Sequence, residues 1–296
     1  MAFITTKDGT DIFYKDWGQG QPIVFHHGWP LSADDWDAQM MFFLGHGYRV
    51  IAHDRRGHGR STRDQRPYGY DIMADDVVGL MDFLKIKKAA IVGWSDGAIL
   101  GIDLALRHPA RVTKVFAFAA NTDPSGVVDG VEKNPTFAKF IERAGDEYRK
   151  LSATPKDYDA FVEAISKMWA TEPNWTPAQL ATIKTPILIL SGLGATEDKV
   201  KGLVSGADDY ITKPFINEDI LQTVRNALRQ TELFRENRYL RRELKQQYNF
   251  DNIIGRSEAL AEVFRLVEKP GRTVHARTLH KVRLWLAKQK RGRKAA

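Results

Sequence analysis

The sequence contains no cysteine. Disulfide frameworks, thiolate zinc sites, iron–sulfur clusters and cysteine nucleophiles are thereby excluded. Long apolar runs are missing too. Stretches such as Pro186–Leu190 fall far short of the ~20 residues that a membrane span requires. The N-terminal segment Met1–Gly9 has no basic start followed by an apolar run, so it does not read as a signal peptide, and a soluble cytoplasmic protein is expected. Hydrophobic residues make up 43% of the 296 positions, enough to bury a sizeable core, which excludes a wholly disordered chain.

An excess of positive charge is absent from most of the chain, although the net charge is +7. Residues 1–190 hold 22 basic and 24 acidic side chains, and residues 191–268 hold 12 and 13. The last 28 residues hold ten basic side chains and no acidic one. A nucleic-acid surface spread over the whole molecule is therefore excluded, while a basic tail remains open to nucleic acid or an acidic partner.

What the chain does have is strand–helix alternation. Pro22–Phe25, Tyr48–Ala52, Ala89–Gly93, Val112–Ala119 and Thr185–Leu190 are short apolar runs bounded by turn residues. Such runs suit strands buried on both faces of a parallel sheet. Between them, Asp71–Leu84 and Ala98–His108 carry helical patterns, the second stopped before Pro109. The alternation predicts an α/β fold with a doubly wound, mostly parallel sheet. Residues 122–184 are polar, helical and rich in Trp and Tyr, and read as a helical cap. Further on, Glu197–Val204 reads as a short helix, Asp209–Thr212 as a strand, and 217–250 as a long, roughly heptad-spaced connecting or dimerising helix.

The residues that carry chemistry are Gly93-Trp94-Ser95-Asp96-Gly97, a G-x-S-x-G pattern between an apolar strand and an apolar helix. The glycines permit a tight strand-to-helix turn, which makes Ser95 the candidate nucleophile. The helix N-terminus supplies backbone N–H groups and a positive dipole end where an oxyanion would form. Asp96, the next residue, offers one such N–H. Trp29, in His26-His27-Gly28-Trp29-Pro30 after an earlier strand, offers the second, with His27 in a structural role. The basic glycine turn Asp54–Ser61 lacks the order of a phosphate loop and reads as structural.

Together these motifs resemble the α/β-hydrolase superfamily. Phe25–Pro30, Trp36 and Asp54–Ser61 are similar to the cofactor-free haloperoxidase, perhydrolase and arylesterase group, while residues 62–190 look more like another bacterial branch. The resemblance implies a Ser-Asp-His triad and acyl-enzyme chemistry on an ester or related acyl substrate, with no cofactor and no metal. It also implies an acid just after the strand at Thr185–Leu190 and a His after the next strand. The acid position is Ala195, and no His lies between His108 and His275. Glu197 or Asp198 can stand in as the acid. The base is unknown, His275 and His280 being far away on the tail.

The segment that replaces the triad turns resembles the C-terminal part of a response-regulator receiver domain. Lys213 matches its lysine and Ser191 its switch hydroxyl, but the strands bearing its phosphoacceptor are lacking. Residues 217–268, with Asn252–Ser257 and Val263–Val267, resemble the linker and ATPase opening of sigma-54-dependent activators, and end before any Walker A loop. The expected layout is a hydrolase-like domain over 1–216 (cap 122–184, receiver-like completion of the sheet 185–216), a connecting helix over 217–250, an ATPase-like start over 251–268 and a basic tail over 269–296. Three readings follow: a serine hydrolase, a regulatory fusion that self-associates through the long helix, or a mosaic with a hydrolase scaffold and no activity.

Overall fold

A computed structural model describes residues 2–63, 65–126, 130, 133–191 and 209–212. The chain divides into two units, Met1–Thr231 and Glu232–Ala296, and every described residue belongs to the first. The helix expected at 197–204, Lys213, the long helix at 217–250, the ATPase-like segment at 251–268 and the basic tail all lie outside the described residues.

Eight strands form one sheet: β1 Ala2–Thr5, β2 Asp11–Trp17, β3 Pro22–His26, β4 Arg49–His53, β5 Ala89–Trp94, β6 Val112–Phe118, β7 Ile187–Ser191 and β8 Asp209–Thr212. Their order is β1-β2-β4-β3-β5-β6-β7-β8. β1 and β2 pair antiparallel and β2 pairs antiparallel with β4, whereas all later pairs are parallel. The strand expected at Asp209–Thr212 is present and pairs with β7, Leu188 opposite Asp209 and Ser191 opposite Thr212.

The six expected strands lie within one or two residues of their apolar runs. The first two strands are additions. β2 holds a short apolar stretch, Ile12-Phe13-Tyr14, flanked by Asp11 and by Lys15-Asp16, so it lacks the continuous apolar signature that marks β3 and β4, whose last four residues are all buried.

Helices fill both faces: α1 Asp37–Gly45, α2 Tyr70–Phe83, α3 Asp96–Arg107, α4 Pro135–Leu151, α5 Tyr158–Trp169 and α6 Pro177–Leu180. One face of the sheet buries Val24, Ile51, Ile91 and Val115 against α2 and α3, and the other buries Phe25, Val50 and Ala52 around Met40 of α1. α3 begins two residues before the apolar pattern does, because Asp96 and Gly97 already turn with the helix. It ends at the residue pair before Pro109, which cannot continue it. α4, α5 and α6 fall within residues 122–184, the helical stretch expected to form a cap. The Asn134 side chain caps α4 by accepting from the N–H groups of Thr136 (2.9 Å) and Phe137 (3.3 Å), with Pro135 at the first helical position. Asn134→Ala is expected to lower stability by about 1 kcal/mol, read as an earlier urea midpoint at unchanged slope. Among the described residues, no helix is long and apolar enough to cross a membrane.

Candidate active site

The strand order reverses between β3 and β5. From β3 the chain moves through α1 to β4 on one side, and later returns through α2 to β5 on the other. In open parallel sheets, ligands bind outside the carboxyl ends of strands at such a switch point. The turns that leave β3 and β5 at that point are His27–Pro30 and Ser95, the two motifs singled out in the sequence.

These turns are packed against each other. Ser95 links β5 to α3 with φ 53° and ψ −124°, a left-handed backbone conformation unusual for a residue with a side chain. Its N–H donates to the Phe118 carbonyl (2.8 Å), and its carbonyl accepts from Ala98 (2.8 Å) and Ile99 (3.0 Å). The turn needs its two glycines. A Cβ on Gly97 would overlap the His26 carbonyl, and one on Gly93 would overlap the Gly97 carbonyl. A Cβ on Gly28 would meet the Trp94 ring at 2.9 Å and the Ser95 Cβ at 3.2 Å. The loop carrying Trp29 therefore lies directly beside Ser95. Asp96 is the first residue of α3, where a backbone N–H has no intrahelical acceptor.

The Asp96 side chain points away from solvent into a buried polar cluster. Its Oδ1 accepts from the Tyr70 hydroxyl (3.0 Å) and from the Trp169 indole N–H (3.0 Å). Its Oδ2 accepts from the Arg55 guanidinium at 3.3 and 3.4 Å. Arg55 is fully buried. Burial, and then the Asp96 charge, push the Tyr70 hydroxyl well above its ordinary range, so it is a fixed donor. Arg55, Tyr70 and Trp169 were not singled out from the sequence. The signal was present in Asp96 itself: a carboxylate in the first turn of an otherwise apolar, buried helix requires partners.

The described histidines can be examined for a general base. His27 sits beside the elbow, but Arg55 N–H donates to its Nε2 (2.9 Å) and its Nδ1 contacts the Gly28 carbonyl (2.8 Å). Those partners assign the proton to Nδ1 and leave no free lone pair. His58 is engaged likewise by Arg55 Nη2 (3.1 Å) and the Arg56 carbonyl (3.0 Å). His26 and His53 lie opposite each other at the ends of β3 and β4, rings 5.0 Å apart. Burial, together with neighbouring histidines and Arg55, holds His26, His27 and His58 well below the ordinary imidazole range. Burial and then Arg55 bring His53 down to about 3. His46 bonds the Phe42 carbonyl and His108 faces Asp75, both away from the elbow. Among the described residues, no side chain bonds the Ser95 hydroxyl, and none of the six histidines is placed to activate it. Glu197, Asp198, Ala195, His275 and His280 lie outside the described residues.

The basic glycine turn is consumed by structure, as expected. Asp54 accepts from the N–H groups of Ala33 (2.7 Å) and Arg60 (2.8 Å), and burial raises its carboxyl above the usual range. Arg56 grips Asp76 with two bonds of 2.7 and 2.6 Å. None of these groups is free to hold a phosphate. Among the described residues, no group of three or more His, Asp or Glu side chains could hold a metal ion.

Comparison with known proteins places this geometry in context. The family described as "Alpha/beta hydrolase family" matches residues 23–241, a span that runs past Leu190. The chain is 38% identical over 242 residues to the AB hydrolase superfamily protein YisY of Bacillus subtilis, covering 73% of this chain and 90% of that one. It is 59% identical over 99 residues to the bifunctional esterase/perhydrolase DCH of Acinetobacter calcoaceticus, covering 33% of this chain and 36% of that one. The chain spans half the length or less of the haloperoxidase and perhydrolase relatives it matches. Among solved structures, it superimposes on a meta-cleavage product hydrolase from Pseudomonas fluorescens with a TM-score of 0.56 and 25% identity, covering 80% of this chain and 98% of that one.

Proposed function

The chain belongs to the alpha/beta hydrolase family, and from that premise we propose that it is a cytoplasmic serine hydrolase acting on an ester or related acyl substrate. The observation that carries this reading is Ser95, held at φ 53° beside the Trp29 loop at the switch point of the sheet. Ser95 Oγ attacks the acyl carbon, and the alcohol departs as an acyl-Ser95 intermediate forms. The backbone N–H groups of Trp29 and Asp96 donate to the developing oxyanion, and water then releases the acid. Glu197 or Asp198 serves as the acid of the triad, and the base is unknown. The activity reported in the name of the esterase/perhydrolase relative agrees with this class of substrate.

The test is covalent labelling. Incubation with p-nitrophenyl acetate or a fluorophosphonate should place one acyl or phosphonyl group on Ser95 of the wild-type chain and none on Ser95→Ala, by peptide mass spectrometry. Equal labelling of both proteins, or of neither, overturns the reading.

A second reading has its own observation: Ala195 stands where the acid is expected, and no His lies between His108 and His275. Under it, residues 1–216 are a hydrolase scaffold completed by a receiver-like segment. The 217–250 helix self-associates, the activator-like segment follows, and the 269–296 tail contacts nucleic acid or an acidic partner. A triad without its base retains only a small residual rate. Acylation of Ser95 without turnover, together with a dimer in solution, favours this reading.

A further inference from the structure

Two aromatic pairs join the core to the cap on either side of Ser95. Trp29, from the loop beside the elbow, meets Trp169 at the end of α5 with ring centroids 4.9 Å apart and planes at 85°. Trp94, immediately before Ser95, meets Phe140 of α4 at 6.0 Å and 76°. The two pairs differ in how they are held. Among the described residues, Phe140 has ring contacts and the Arg143 guanidinium 5.6 Å over its face. Trp169 is bonded, its indole N–H donating to Asp96, the residue after Ser95.

The end of α5 has a further tether. Three residues after Trp169, Glu172 Oε2 accepts from the Tyr70 N–H at 2.9 Å, and Tyr70 in turn donates to the same Asp96 oxygen as Trp169. Phe161, two turns earlier on α5, packs edge-on to His58 at 4.7 Å. The Trp169 indole is thus tied by a short chain of bonds to the residue after Ser95, and its ring packs edge-to-face with Trp29, whose loop lies beside Ser95. The Trp29 indole N–H is buried with no acceptor among the described residues, so this patch also contains an unused donor.

Resting on the Ser95 reading above, we propose that Trp169 is the specificity-determining residue of the site: its bonded indole limits the length of the acyl chain, and the substrates are esters with a short apolar acyl group. A ring pinned to the nucleophile's neighbour cannot swing aside to admit a longer chain. A ring held by aromatic contacts alone, with no directional bond, could.

The experiment compares kcat/KM for p-nitrophenyl acetate and p-nitrophenyl hexanoate in the wild type, Trp169→Ala and Trp169→Phe. Removing the ring should raise the hexanoate-to-acetate ratio by about tenfold or more, since each methylene accommodated in an apolar pocket is worth about tenfold or more. Trp169→Phe keeps a ring but loses the bond to Asp96, and should raise the ratio to an intermediate value. A purely structural role predicts that both variants lose rate equally on the two esters, leaving the ratio within about twofold of wild type, and that result overturns the proposal. If Trp169→Ala does not fold, Trp169→Phe alone decides by the same ratio. Labelling of Ser95 separates the two levels of inference. An active, labelled wild type with an unchanged ratio removes only the role of Trp169. A wild type that neither labels nor hydrolyses removes the Ser95 reading, and this one with it.

Discussion

As pH falls below 6.5 the folded state should lose stability, because four histidines must be neutral for it to exist, and His53 alone accounts for about 1.4 kcal/mol per pH unit of that loss. His26, His27, His53 and His58 are completely buried. Burial depresses all four below the ordinary imidazole value of 6.5, with His53 at about 3. The sign follows directly. The unfolded chain takes up these protons near pH 6.5 and the folded chain does not, so acid favours unfolding. The stabilisation is complete above 6.5 and is lost as pH falls toward the folded values; for His53 this window runs down to about 3. His53 contributes about 1.4 kcal/mol per pH unit in that window. The other three act in the same direction and add to the loss, against an ordinary stability of only about 5–15 kcal/mol. Burial raises the carboxyls of Asp54, Asp76 and Asp103, whose effect has the opposite sign and is confined below their own raised values. Urea unfolding at half-unit pH intervals measures the slope. His53→Gln should make it shallower by about 1.4 kcal/mol per unit. A stability that is flat from pH 7 to pH 5 rules the prediction out.

Asp96→Asn should destabilise the protein by about 3–5 kcal/mol at neutral pH. The amide keeps the shape of the side chain and one acceptor for Tyr70 and Trp169. It removes the anion facing Arg55, whose guanidinium has no exposed surface. The guanidinium lies 3.3 and 3.4 Å from the carboxylate, so the individual bonds are long and the pair's net contribution is small. The cost comes from leaving a charge buried and unpaired. A double-mutant cycle separates the two effects: Arg55→Met combined with Asp96→Asn should be more stable than Asp96→Asn alone. Unfolding of Asp96→Asn at the wild-type urea midpoint would contradict the account.

The central sheet was legible because its strands are buried on both faces. Pro22–Phe25 and Ala89–Gly93 are continuous apolar runs that no surface element needs. β1 and β2 escaped notice because an antiparallel end pair has no such run, and α1 because Asp37-Ala38-Gln39-Met40-Met41-Phe42 buries only Met40. Ser95 and the Trp29 loop were legible through glycine. Gly93, Gly97 and Gly28 occupy close approaches where any Cβ would strike a neighbour, and such positions leave a mark in local sequence. The cluster behind Asp96 left only the carboxylate itself, with nothing local to name its partners. Arg55, Tyr70 and Trp169 are 41, 26 and 73 positions away from it, and only the fold brings them together. The four buried histidines were ambiguous for a similar reason. Sequence marks a histidine as titratable, and burial decides whether it titrates.

The backbone angles of Ser95 carry one last consequence. A residue with a side chain at φ 53° and ψ −124° costs about 1–3 kcal/mol relative to a relaxed conformation, and glycine escapes most of that cost. Folding alone would therefore choose glycine at position 95. Selection for thermal tolerance and selection for a reactive hydroxyl act in opposite directions on this single residue. A library sorted only for survival on heating should drift toward glycine there, and the frequency of serine among its survivors would record how strongly chemistry, rather than endurance, has shaped the turn.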